Sequence, residues 1–240
     1  MLGRRIPCEA AGDTAFFSTP APLPVGATIL SSGDEYTPCM TFVAAFYNFS
    51  IDLNQSDKGL FTSFRLKIPR HELESLEHMY ARLIAYLHFY QPGQEFTRGV
   101  SDSKEPTIWR KDEIGDVFGW AQVGHIERRK LELSLKQHPR AIHAVYFFDE
   151  LQVLSFCHQL RGSKTNWVKD AQFYQIPSQL LAELALYEST SPQWTVTIVD
   201  ARLYLTVDGH DIEADIASID IWEAYQRSLL ANNLDHHVAS

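Results

Sequence analysis

The sequence predicts an α/β fold: a single domain in which a mixed β-sheet is flanked by helices. Three observations carry that expectation. Stretches with an apolar residue at every second position are interleaved with stretches whose apolar residues recur at three- and four-residue steps. A near-continuous apolar run over 142–148 has the composition of an inner strand. Neither an internal repeat nor a linker of biased composition breaks the chain after residue 40.

The elements follow in order. From Met40 the chain reads as an opening strand, with Val43, Ala45, Tyr47, Phe49, Ile51 and Leu53 on one face and Asn48, Ser50 and Asp52 on the other. A second strand spans 61–68, where Phe64, Leu66 and Ile68 alternate with Arg65 and Lys67. The polar residues 54–59 between them predict a hairpin. A helix over about 71–90 carries a stripe of Leu73, Leu76, Tyr80, Leu83 and Leu87, widened by Ile84, and Gln91-Pro92-Gly93 ends it. Residues 117–123 form a strand, and 126–137 a helix stopped by Pro139.

After the inner strand at 142–148, a helix over 149–161 is expected to bury Leu151, Leu154 and Leu160. A short strand at 172–176 precedes a helix over 177–187 with Pro177 in its first turn. The end reads as a hairpin, Trp194, Val196 and Ile198 against Leu203, Leu205 and Val207. Asp208-Gly209 then turns into a strand over 212–216. The domain is expected to span 40–218, with 219–240 a C-terminal helix or tail. Residues 1–39, rich in Pro, Ala, Gly and Ser without a sustained period, suit a disordered extension.

Composition narrows the partners. The net charge of −9 argues against general affinity for nucleic acid, but leaves room for a confined basic cleft. Arg128, Arg129, Lys130, Lys136 and Arg140 make the densest basic stretch, for which a solvated helix face is the competing account. No apolar run approaches the roughly 20 residues that cross a bilayer, and no secretory signal pattern opens the chain. A cytoplasmic location without a membrane partner is the default expectation. Cys8, Cys39 and Cys157 are too few and too scattered for a disulfide framework or a thiolate zinc site, and Cys157 suits a buried core position.

One stretch carries a signature: Phe96-Thr97-Arg98-Gly99, then Glu105-Pro106-Thr107-Ile108-Trp109, then Trp120-Ala121-Gln122-Val123-Gly124. It resembles the bacterial YaeQ family, in which an F-T-R-G loop leads to an E-P-x-x-W turn and a W-x-E-x-G strand. The order of the pieces makes the match specific, as does their spacing from the helix bearing Glu77 and Arg82. The likeness covers most of 40–216 and places Met40 where that family starts, so 1–39 also reads as an extension upstream of a natural start.

The resemblance implies a restriction-endonuclease-like fold, a variant of the PD-(D/E)XK architecture, and a metal-dependent phosphodiesterase site. There, carboxylates hold a divalent cation that orients phosphate and generates hydroxide. By this likeness, Glu105 and Gln122 are the Mg²⁺ ligands and catalytic positions, and Lys130 adds positive charge. Arg98 and Arg129 steer phosphate, and Glu77 is an accessory acid.

Two departures weaken the implied site. Gln122 stands where the family has glutamate, and in Glu127-Arg128-Arg129-Lys130-Leu131-Glu132-Leu133 the residues Glu132 and Leu133 replace family lysines. A charge pair about 4 Å apart is worth roughly 4 kcal/mol at intermediate dielectric, so losing a carboxylate implies a degenerate site with weak Mg²⁺ affinity at best. The alternative is a non-catalytic regulatory module that binds nucleic acid or protein. Plainer roles stand beside each candidate: Glu105 as a turn cap, Glu77 facing solvent, and Arg98 paired with a carboxylate. Trp109 and Trp120 equally suit packing, and His125 need be neither base nor ligand.

Overall fold

Alternation along the first described segment sets the architecture. A computed structural model describes residues 45–97, 105–162 and 165–238, with side chains through 229. The expectations for 1–39, for residues 40–44 and for Arg98 therefore lie outside the described residues. Strand β1 (Ala45–Gln55) buries Tyr47, Phe49, Ile51 and Leu53 and exposes the residues between them. A 3-10 turn at Ser56–Lys58 ends at Gly59, whose φ of 60° suits glycine. It feeds β2 (Leu60–Arg70), antiparallel to β1 as expected.

Helix α1 (Leu76–His88) starts at Ser75, whose hydroxyl accepts the His78 N–H. Leu73, placed on the apolar stripe by periodicity, lies before the helix and is 83% exposed. Nor is α1 amphipathic: every residue from Met79 to Leu87 is buried. A helix enclosed on all sides is one that packs between layers.

The signature region holds β3 (Gln94–Phe96), β4 (Ile108–Lys111) and β5 (Val117–Val123), a meander in which the E-P-x-x-W turn runs directly into a strand. Helix α2 (Arg128–Gln137), β6 (Ile142–Phe147) and α3 (Glu150–Leu160) follow. Asp149 caps α3 through the Leu151 N–H. Of the residues expected inside α3, only Leu160 is buried; Leu151 and Leu154 face out while Phe156 and Cys157 face in. The chain continues through β7 (Gln172–Gln175), α4 (Ser178–Leu186) with Pro177 as its N-cap, and β8 (Gln193–Val199). It closes with β9 (Arg202–Val207), β10 (His210–Asp215), β11 (Ala217–Ser218) and α5 (Ile221–Val238). No described helix is long and apolar enough to cross a membrane.

The expected single mixed sheet is two mixed sheets among the described residues. One is ordered β10-β9-β8-β1-β2, the other β11-β7-β6-β5-β4-β3. In the first, β1 pairs parallel with β8 across most of the chain length, which recruits the terminal hairpin to the opening one. In the second, β5, β6 and β7 are parallel and the outer strands antiparallel. A continuous core joins the inner faces of both sheets to α1 and α4, with Ala121, Val123, Ala144 and Tyr146 supplied by the second sheet. The opposite face of that sheet, through Trp120, Val145, Phe147 and Phe173, packs on Leu131 of α2, on Phe156, Cys157 and Leu160 of α3, and on Ile221 of α5. The layers run sheet, helix, sheet, helix.

Inside the first core lies a polar cluster. Glu74 receives Arg82 Nε and a second guanidinium nitrogen at 2.7 Å each, and His78 Nδ1 lies 2.8 Å from it. Arg82 also donates to the Pro69 carbonyl at 2.8 Å. The arginine of the signature helix thus ties α1 to the end of β2.

Candidate functional site

The E-P turn is stitched to β5 by a residue that motif reading passed over. Thr107 donates its N–H to the Ala121 carbonyl at 3.0 Å, and its hydroxyl accepts the Val123 N–H at 3.1 Å. Thr97 reaches the same turn through the Pro106 carbonyl. These bonds hold Glu105 alongside Gln122, which alternation places on the α2 side of the sheet with Trp120.

Helix α2 completes the arrangement. Lys130, on its first turn, sends its ammonium to the Glu105 backbone carbonyl at 2.6 Å and to Gln122 Oε1 at 3.0 Å. Three of the candidate residues therefore meet at one point. A cleft of about 520 Å³ opens beside them, lined by Glu105, Trp109, Arg129, Lys130, Ser134 and His138 among others. Gln122 is half-buried, its amide N–H₂ directed to the Val123 carbonyl at 3.3 Å.

The other candidates divide. Arg129 is exposed on the cleft wall. Arg128, its neighbour, pairs with Glu132 at 3.1 Å, and Lys136 pairs with the same carboxylate at 2.8 Å. The hydrogen bond from Lys136, with the charges of Lys136 and Arg128, holds the Glu132 carboxyl below its ordinary pKa. Glu132 thus neutralises part of the basic run. Glu77 is exposed and lines a separate cleft with Phe148, Asp149 and Leu151, so the structure does not bring it to Glu105 and Gln122. Trp120 is buried, packed in the core on the α2 side of the sheet, and forms part of the cleft lining. Trp109 is half-buried in the cleft, its indole N–H on Glu95 at 2.8 Å and the Lys111 ammonium 3.0 Å from its ring centre. His125 is exposed and does not line this cleft.

The donor set suits Mg²⁺ poorly. The two oxygens facing the shared point are a neutral carbonyl and a neutral amide, and an ammonium already bonds both. A hard divalent ion favours carboxylates and water, and would meet Lys130 as a like charge. Among the described residues, no three His, Cys, Asp or Glu side chains gather as a metal-holding group.

Ser134 and His143 were not legible as site residues. Ser134 lines the cleft, and its hydroxyl lies 3.0 Å from Nε2 of buried His143. They are nine residues apart on different elements, and only the packing of α2 over β6 brings them together.

Comparison with known proteins matches residues 40–216 to the family model described as YaeQ protein. An uncharacterized YaeQ protein of Escherichia coli (strain K12) is 23% identical over 180 residues, 75% of this chain and 97% of its own length. The corresponding protein of Salmonella typhi is 24% identical over the same shares. Among solved structures, the YaeQ protein from Pseudomonas syringae superposes with a TM-score of 0.64 at 24% identity, over 73% of this chain and 96% of that one. The YaeQ protein from Xanthomonas axonopodis pv. citri gives 0.66 at 19% identity, over 73% and 98%.

Proposed function

This chain belongs to the YaeQ family, and from that premise we propose that it keeps a restriction-endonuclease-like scaffold whose metal site is degenerate. The cleft over α2 then serves to bind a phosphate-bearing strand without a divalent ion. The observation that carries this reading is the Lys130 ammonium bridging the Glu105 carbonyl and the Gln122 amide oxygen. In a metal-dependent site a divalent cation would be the positive charge at such a point. Here the charge is covalently part of the chain, while Arg129 and the half-buried Trp109 supply phosphate and base contacts on the cleft wall.

Two measurements test it. Calorimetric titration with Mg²⁺ should detect no uptake by the native chain. The double variant Gln122→Glu/Lys130→Met restores the carboxylate and removes the resident cation, and should gain Mg²⁺ binding. Submillimolar Mg²⁺ affinity in the native protein would defeat the degenerate-site reading. Anisotropy of a labelled single-stranded oligonucleotide in EDTA at low salt should report binding. Arg129→Ala should weaken it and reduce the salt slope by about 0.7 for the lost phosphate contact; an unchanged slope removes Arg129 from the interface.

A further inference from the structure

Ser134 stands one helical turn after Lys130 on α2, lines the same cleft, and is 4% exposed. A serine inside a helix ordinarily turns its hydroxyl to the carbonyl four residues back. This one faces a base. Its Oγ is 3.0 Å from His143 Nε2, and the second ring nitrogen, Nδ1, is 3.0 Å from the Ala141 carbonyl oxygen.

That second contact assigns the proton. A carbonyl oxygen only accepts, so Nδ1 carries hydrogen and donates to Ala141. Burial holds the imidazole below its ordinary pKa, against the raising effect of its own hydrogen bonds. The ring is therefore neutral near pH 7 and turns the Nε2 lone pair to Ser134, whose hydroxyl donates to it. His143 is fixed further by burial at 1% exposure and by the Trp120 ring, whose centre is 5.5 Å from its own. A hydroxyl on a neutral imidazole whose opposite N–H is anchored is the nucleophile, base and orienting group of covalent catalysis. A buried Ser–His pair with no access to solvent would be only a satisfied core contact. Ser134 itself lines the cleft, together with Arg129 and Lys130 and the acids Glu105 and Glu127, while His143 lies behind it, buried and outside that lining.

We propose that Ser134 is a nucleophile activated by His143, and that its substrate is a phosphoester whose anionic oxygens rest against Arg129. The inference depends on the reading of the cleft as a phosphate site, and adds to it a reaction that needs no metal. In the first step the Oγ–P bond forms as the P–O bond to the leaving alcohol breaks. The Oγ proton passes to His143 Nε2 and from there to the departing oxygen. Water then attacks phosphorus with His143 accepting its proton; the Oγ–P bond breaks, and the proton returns to Ser134 Oγ as phosphate leaves.

The test is covalent labelling of the full chain by a fluorophosphonate in EDTA, read by intact mass and peptide mapping, with strand binding measured on the same preparation. One adduct on Ser134 is expected, with fluoride lost. It should vanish in Ser134→Ala and form at least about a hundredfold more slowly in His143→Gln. Absence of an adduct on Ser134 in the native chain overturns the proposal, whatever the variants do, as does labelling at an undiminished rate in a folded His143→Gln protein. Strand binding without an adduct removes the nucleophile and keeps the cleft reading. An adduct without strand binding supports the nucleophile and removes that reading.

Discussion

Replacing Arg82 by methionine should be among the most damaging single changes available to this fold. The guanidinium is 2% exposed and gives two nitrogens to Glu74 at 2.7 Å each and one of them again to the Pro69 carbonyl at 2.8 Å. Methionine fills a similar apolar volume but leaves a carboxylate that is 1% exposed with no arginine beside it, only His78 and the His71 N–H remaining among the described residues. Breaking one side of a buried ion pair costs about 3–5 kcal/mol. At about 2–4 °C per kcal/mol for a domain of this size, Tm should fall by roughly 6–20 °C.

The acid limb of stability should change as well. Burial raises the Glu74 pKa, but the hydrogen bond from His78 and the Arg82 charge outweigh it and hold the group below its ordinary value. A depressed carboxylate contributes stability that is present above the unfolded pKa, about 4.3. That contribution is lost as pH falls through the lower folded value. Arg82→Met removes much of the depression, so its stability should decline less steeply below pH 4. Urea denaturation of the native chain, of Arg82→Met and of Glu74→Gln/Arg82→Met between pH 7 and pH 3 checks both statements. The double variant should regain part of the loss, because no uncompensated charge remains. A single-variant loss under 1 kcal/mol, or strictly additive effects, would refute the argument that an orphaned buried carboxylate sets the cost.

Other outcomes follow from the same structure. Lys130→Met strips the shared donor from the Glu105 carbonyl and Gln122 Oε1; about 1–2 kcal/mol should be lost in urea melts, and a neutral result would mean the bridge is not formed in solution. His88, whose Nδ1 meets the Tyr146 hydroxyl at 2.8 Å, is pushed down to about 4 by burial and by Lys58. Its stabilising contribution is present above the unfolded value near 6.5 and is lost as pH falls through 4, roughly 3 kcal/mol in all. Histidine NMR titration should find this ring neutral throughout pH 5–8, and a midpoint near 6.5 would contradict the burial argument.

The legible parts of the fold were those whose signal is local. Alternation named the buried residues of β8 and β9 and those of β1 from Tyr47 to Leu53, because a strand with one covered face must repeat every two residues; Ala45, read on the same face, is exposed at the strand's start. The bounds of β5 also matched the expectation. Leu73, Leu151 and Leu154 failed because periodicity marks an apolar stripe without saying whether a partner covers it. At the site, the signature order anticipated that Glu105 and Gln122 would lie near one another and near α2. It did not reveal that the Glu105 backbone carbonyl accepts from Lys130. Of the two readings of Glu77, the solvent-facing one holds, because a position in a helix sequence does not specify the azimuth at which that helix packs.

By itself the sequence determined which faces of β8 and β9 are covered and the order of the signature pieces that lead from Glu105 to Gln122. Tertiary structure alone decided that the strands divide into two sheets around an enclosed helix, and that Lys130 sits between two neutral oxygens. It alone set Ser134 against His143. The division has a physical cause: backbone period and side-chain polarity are properties of neighbouring residues. Which surface covers a face, and which donor finds an orphan acceptor, depends on long-range packing that no window of sequence contains.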